Sequence, residues 1–253
     1  MWGERYGAGR PWALALHGWG RDHHDFAGVL GGTSAIALDL PGFGVTPEPP
    51  GPWSSSEYAR ALAAVLDECF GEGPVVLVGH SFGARVAVRL SEDPRVAALV
   101  LAGAPLALPP GRRERRPALV YRAARALSSA GLVSKGRMEA LRHRYGSEDY
   151  RAASPTMRAV LVKAVAETAS GAYIPALAAF LERGGALELV FGELDQAASL
   201  EGLRAWLAQR ADLAGRARTT VVPGAGHLIS PSVAEAVREA LCRLGGAGVR
   251  GPS

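Results

Sequence analysis

Apolar positions along the chain fall into two alternating kinds of segment. Short apolar, strand-like runs recur at Trp12 to Leu16, Ala35 to Leu38, Val75 to Val78, Val96 to Leu101, Leu187 to Phe191 and Arg218 to Val222, and the unbroken run Val75 to Val78 suits a strand covered on both faces. Between them, apolar residues recur at helical spacing over Ser54 to Phe70, Phe82 to Ser91, Leu200 to Ala211 and Ser232 to Leu244. Strands alternating with helices in this way predict an α/β fold: a mostly parallel, twisted sheet with helices on both faces.

One interval interrupts the alternation. About 80 residues separate the strand ending at Leu101 from the one starting at Leu187. It carries apolar stripes around Leu119 to Leu127, Met138 to Leu141, Met157 to Val165 and Ile174 to Leu181, punctuated by Gly131, Gly136, Gly146, Pro155 and Gly171. A structureless loop of that length is improbable in a compact domain, so the interval predicts a helical insertion. The resulting division is a core of residues 1–104 and 182–246, a helical lid of 105–181, and a Gly-rich tail, 247–253, expected to be disordered.

The stretch "VVLVGHSFGARVAVRL", residues 75 to 90, passes from strand to helix with Gly79, Ser81 and Gly83 at the joint. Glycines at both ends remove the side chains that would collide as helix closes on strand, and leave Ser81 free to adopt a strained conformation. A serine hydroxyl is a poor nucleophile unless a base and a group orienting that base stand within reach. Both are available at predicted strand ends: Asp195 in "FGELD" and His227 in "PGAGH". Parallel sheets gather such strand ends on one edge, and the order Ser81, Asp195, His227 is that of an α/β-hydrolase. Glu193 competes with Asp195 as the acid, while the earlier strand end, "LAGAPLAL", offers no carboxylate. Two backbone N–H groups are expected to hold an oxyanion: Phe82, after the nucleophile, and Trp19, in the turn of "LALHGWG".

These motifs resemble the α/β-hydrolase fold superfamily, in its lidded serine esterase-like branch. His17-Gly18-Trp19-Gly20, Asp39-Leu40-Pro41-Gly42-Phe43-Gly44, Gly79-His80-Ser81-Phe82-Gly83, Asp195 and Gly226-His227 carry the likeness over nearly the whole chain. The insertion falls where the family places its lid, between the sixth and seventh strands. The resemblance implies a serine hydrolase acting on a carboxylic ester or related acyl compound, with no cofactor. C–C bond hydrolases, perhydrolases, thioesterases, lyases and non-catalytic ligand-binding members share the framework and stay open as alternatives. Serine at position 81 argues against the dehalogenases and epoxide hydrolases, which resemblance would require to carry aspartate there. Two departures stand out: the ten residues before Pro11 are few for the family's opening hairpin, and "QAASL" after Asp195 lacks a common proline.

The remaining features narrow the picture. A 48% apolar, 21% charged composition describes a globular chain, and the amino terminus lacks the pattern of a signal peptide. With no bilayer-length apolar run and only Cys69 and Cys242, the expectation is a reduced, cytoplasmic protein without membrane contact. Net charge is +4, yet Pro105 to Phe180 holds 13 Lys or Arg against 5 Asp or Glu. Without aromatic interleaving or a reading motif, this basic stretch is expected to be a solvated face rather than a nucleic-acid site. Asp22, His23, His24 and Asp25 suit the exposed start of a helix, and no metal is expected. No phosphate loop or dinucleotide fingerprint is present. His17 and His80 are expected to fix turns, and Asp39 to brace the loop after it. The partner is a small acyl or ester molecule, with Trp19, Phe82, Leu119, Leu127, Met157, Leu161 and Phe180 as expected pocket residues. Lid arginines such as Arg122, Arg125 and Arg158 leave an anionic substrate open. Monomer and homodimer are both compatible with the sequence.

Overall fold

The computed structural model describes residues 1–111 and 148–245, with the side chains of 148 and 149 excepted. The stripes around Leu119 to Leu127 and Met138 to Leu141, and the tail 247–253, lie outside the described residues.

Seven strands form one sheet: β1 (Gly3–Tyr6), β2 (Ala13–Leu16), β3 (Ala35–Leu38), β4 (Val75–His80), β5 (Val96–Ala102), β6 (Ala186–Gly192) and β7 (Ala217–Val222), in the order β1-β3-β2-β4-β5-β6-β7. All neighbours run parallel except β1, which pairs antiparallel with β3 from Gly3↔Leu38 to Tyr6↔Ala35. The six strands read from the apolar runs are all present. β1 was not among them, because "GERY" has no apolar alternation and lies mostly exposed on the sheet edge.

Nine α-helices are described: α1 (Ala27–Leu30), α2 (Ser55–Cys69), α3 (Phe82–Leu90), α4 (Glu148–Ala152), α5 (Pro155–Ala169), α6 (Ile174–Glu182), α7 (Leu200–Ala208), α8 (Ala211–Ala214) and α9 (Pro231–Leu244). Their starts follow from capping chemistry. Ser54 and Glu57 form a reciprocal capping box on α2. Ser154 and Ser230 accept from the N–H groups of Met157 and Val233, each before a proline that fits the first helical position. The single helix expected over Leu200 to Ala211 is two, α7 and α8, with Arg210 between them in a non-helical conformation.

Strand residues alternate between two cores. Leu14, Leu16, Leu77, Leu99 and Leu101 meet the face covered by α2, α3, α5 and α6. Ala13, Ala15, Val76, Val78, Ala98 and Val100 meet the face of Phe26, Val29 and Leu30 and of α9 residues Val233, Val237 and Leu241. Each such leucine, fully buried, contributes about 1.5–3 kcal/mol.

Helices α4 to α6 lie in the chain between β5 and β6, the fifth and sixth of the strands observed. α5 is fastened to loops that follow the carboxyl ends of strands. Thr168 Oγ1 donates to the Pro105 carbonyl at 2.7 Å and Ser154 Oγ to Glu48 at 2.9 Å, and Lys163 reaches the Pro52 carbonyl. No single described helix is long and apolar enough to cross a membrane.

Candidate active site

Ser81 occupies the joint between β4 and α3 with φ 50° and ψ −104°, and no other non-glycine residue among those described has positive φ. Its N–H donates to the Ala102 carbonyl at 3.0 Å. The flanking glycines are required by contact. A Cβ at position 79 would lie 2.6 Å from Ala84 Cα, and one at 83 would lie 2.0 Å from the Leu16 carbonyl oxygen. Helix and strand therefore close on one another with Ser81 projected from the turn, the geometry that gives such a serine its strain.

The other two residues arrive from distant strands. Asp195 follows β6 and His227 follows β7, both at the sheet's carboxyl edge. His227 Nε2 lies 2.9 Å from Ser81 Oγ, and His227 Nδ1 lies 2.8 Å from Asp195 Oδ2. Asp195 Oδ1 accepts from the N–H groups of Ala197 and Ala198, both at 2.9 Å. The Asp195 side chain is 1% exposed. Burial pushes its carboxyl upward, but the hydrogen bonds from His227, Ala198 and Ala197 outweigh it, so the group sits below the usual carboxylate range. Glu193, the competing acid, accepts instead from the Gly224 N–H on the exposed side of the loop.

Gly103 was not anticipated in this site. It adopts φ 51°, and a Cβ there would stand 3.0 Å from His227 Nδ1 and 3.1 Å from Asp195 Oδ2. The only sequence signal is its place directly after an apolar strand.

Around this line the expected bracing residues have definite partners. His17 Nε2 accepts from the Leu40 N–H at 3.0 Å, so its Nδ1 carries the proton and donates to the Gly18 carbonyl at 2.7 Å. Burial holds its pKa below the ordinary value, against the bond to Gly18. Asp39 accepts from the N–H groups of His23 and Val45 and from His23 Nδ1, bracing the loop of residues 39–46. Asp22 caps the short 3-10 helix His23–Phe26. The possible ligating atoms of Asp22, His23 and His24 lie within 4.8 Å of one another, but two of these side chains already serve as cap and brace.

Trp19 stands in the turn after β2 and Phe82 opens α3; no described residue accepts from either backbone N–H. Their rings meet edge to face at 5.4 Å, with Phe43 5.0 Å from Trp19 and Tyr58 5.1 Å from Phe82. Phe43 and Tyr58 complete a cluster that sequence patterning did not single out. Met157 lies under Gly42, with its sulfur 3.9 Å from the Tyr58 hydroxyl, and Leu161 is half-buried. Phe180 departs from expectation. Its ring lies beneath Gly185, just before β6 begins, at the opposite end of the sheet from Ser81. The reason is packing: α6 directs Phe180 into the core with Leu177 and Leu181. Leu119, Leu127, Arg122 and Arg125 lie outside the described residues, and Arg158 donates to the Ala153 carbonyl.

Comparison with known proteins agrees with this architecture. Over 111 residues the chain is 43% identical to Lipase LipV of Mycobacterium tuberculosis, and that match spans 42% of this chain and 42% of the relative's length. A thermophilic esterase from Thermogutta terrifontis superposes with a TM-score of 0.63 at 22% identity, covering 96% of this chain and 93% of its own. A monoacylglycerol lipase from Paleococcus ferrophilus superposes with a TM-score of 0.61 at 18% identity, covering 96% and 97%. At those identities the likeness is one of fold. Residues 13–240 match the alpha/beta hydrolase family, and the chain, with its parallel sheet and strand-turn-helix serine, belongs to it.

Proposed function

We propose that the chain is a serine hydrolase that cleaves a carboxylic ester or related acyl substrate. The observation that carries this reading is the continuous line Ser81 Oγ, His227 Nε2, His227 Nδ1, Asp195 Oδ2, with links of 2.9 and 2.8 Å. In the reaction, His227 takes the Ser81 proton as Oγ attacks the carbonyl carbon. Asp195, kept ionised, orients the ring and stabilises the imidazolium. The Phe82 and Trp19 N–H groups hold the developing oxyanion. His227 returns the proton to the leaving alcohol, and the acyl group stays on Ser81. Water, deprotonated by the same histidine, then releases the acid.

The names of relatives, a lipase and an esterase among them, favour an ester over the other acyl compounds open to this framework. The insertion is read as a lid over the core. Supporting this, α5 is tied to the loops around Pro52 and Pro105 and sets Met157 against the loop that carries Phe43. Its apolar lining, with Trp19, suits an apolar acyl group.

Steady-state hydrolysis of a panel of p-nitrophenyl esters of increasing chain length, beside thioesters and diketones, tests the assignment. Multiple turnovers on esters, lost in Ser81→Ala, are expected. Equal rates for wild type and Ser81→Ala would overturn it.

A further inference from the structure

A second histidine stands inside the candidate site without a part in proton transfer. His80 ends β4 directly before Ser81 and is 1% exposed. Its ring lies beside that of His227, with centroids 5.2 Å apart. Its Nε2 is 2.9 Å from the main-chain carbonyl oxygen of His227. A carbonyl only accepts, so the proton resides on Nε2 and Nδ1 is left as a bare acceptor. That Nδ1 is buried and has no hydrogen-bond partner among the described residues. It faces Gly18, where an added Cβ would lie 2.6 Å away, so the ring fills the space beneath the turn that carries Trp19. Burial lowers the pKa of His80 to about 4, and the ring is neutral at physiological pH.

An unpartnered buried acceptor is a cost that leucine at position 80 would avoid. What leucine would lose is the bond to His227. That bond holds the main chain of the residue proposed as base, in the loop between β7 and α9, to the residue adjoining the proposed nucleophile.

We propose that His80 is a positioning residue of the reaction: by donating from Nε2 to the His227 carbonyl while wedged beneath Gly18, it locks the base loop onto the nucleophile turn. It thereby holds the His227 ring at bonding distance from Ser81. This inference rests on the serine-hydrolase reading.

Side-chain length separates this role from packing. The amide nitrogen of glutamine lies three bonds from Cβ, as Nε2 of histidine does, and reaches the same carbonyl. That of asparagine lies two bonds away, at the place of Nδ1, and falls short. The test measures ester turnover and the rate of fluorophosphonate labelling of Ser81 in full-length His80→Gln, His80→Asn and His80→Leu. Asn and Leu are expected to lower kcat and the labelling rate by about 10²-fold with KM unchanged, the effect of a displacement near 1 Å. Gln is expected to restore most of the loss. A packing role would instead rank activity with thermal stability and favour Leu. Should Leu fail to fold, Asn and Gln alone decide. Full activity in His80→Asn, or equal defects in Gln and Asn, would overturn the proposal. A wild type that fluorophosphonate does not label would sink the serine-hydrolase reading itself; a labelled wild type with fully active His80→Asn sinks only the role of His80.

Discussion

Gly83 lies against the main chain of Leu16: a Cβ on it would stand 2.0 Å from the Leu16 carbonyl oxygen and 2.7 Å from that of His17. The Gly83 N–H donates to the same His17 carbonyl at 3.0 Å. The first turn of α3 is thus pressed onto the end of β2, and backbone, unlike a flexible side chain, cannot step aside. Gly83→Ala is expected to cost about 3 kcal/mol, the upper range for overpacking. For a chain of this size that is a fall of roughly 6–12 °C in Tm. Thermal denaturation checks it, and an unchanged midpoint would mean that the two elements are not so closely joined.

Asp195→Asn separates charge and tautomer from shape. The Asn side-chain oxygen can keep accepting from Ala197 and Ala198, which turns its NH2 group toward His227 Nδ1. Nδ1 must then accept, the ring proton moves to Nε2, and the base has no lone pair for Ser81. A loss in kcat of about 10⁴-fold is expected, with KM little changed. Steady-state kinetics on an active ester measures it.

His80 makes stability depend on pH in a defined window. Its folded pKa of about 4 lies below the unfolded value near 6.5. Above pH 6.5 both states are neutral and the full stability is present. As pH falls toward 4 only the unfolded chain binds the proton, so stability declines with a slope of about 1.4 kcal/mol per pH unit, some 3 kcal/mol in all. His17, also held down by burial, adds to the decline. Urea unfolding at pH 7, 5.5 and 4.5 is expected to show a shallower slope in His80→Gln than in wild type. Parallel slopes would contradict the burial of a neutral ring.

Glu188, 6% exposed, projects from β6 toward α9, where Arg243 donates to it from Nε at 3.2 Å and Nη2 at 2.9 Å. Arg243→Ala leaves that carboxylate without the pair of donors. A loss of about 1–3 kcal/mol is expected, less than for a wholly buried pair because Arg243 is one-third exposed. Chemical denaturation checks it, and ester turnover should be unaffected.

Strands β2 to β5 were legible because both their faces are buried, which makes each an almost continuous aliphatic run; β6 keeps that run except at Glu188, and β7, on the far edge, is mostly exposed or half-buried and is marked only by its β-branched residues. Helices α2, α3, α5, α6, α7 and α9 were legible from their apolar stripes. β1 was not, since an edge strand held by main-chain bonds needs no apolar pattern. Ser81, Asp195 and His227 could be chosen because each follows a strand, and parallel strands end on one edge. Gly103 and the His80 link could not: both depend on distances between loops remote in sequence. Phe180 misled for the opposite reason, since its apolar character marks burial without saying which end of the sheet it serves.

Every step proposed for the site depends on Ser81 being an activated nucleophile. Intact-mass analysis after fluorophosphonate treatment tests it most directly, with wild type, Ser81→Ala and His227→Ala compared. One adduct on the wild type, lost in both variants, is the predicted result. A folded wild type that gains no mass, or a Ser81→Ala variant labelled as fast as wild type, would contradict the account.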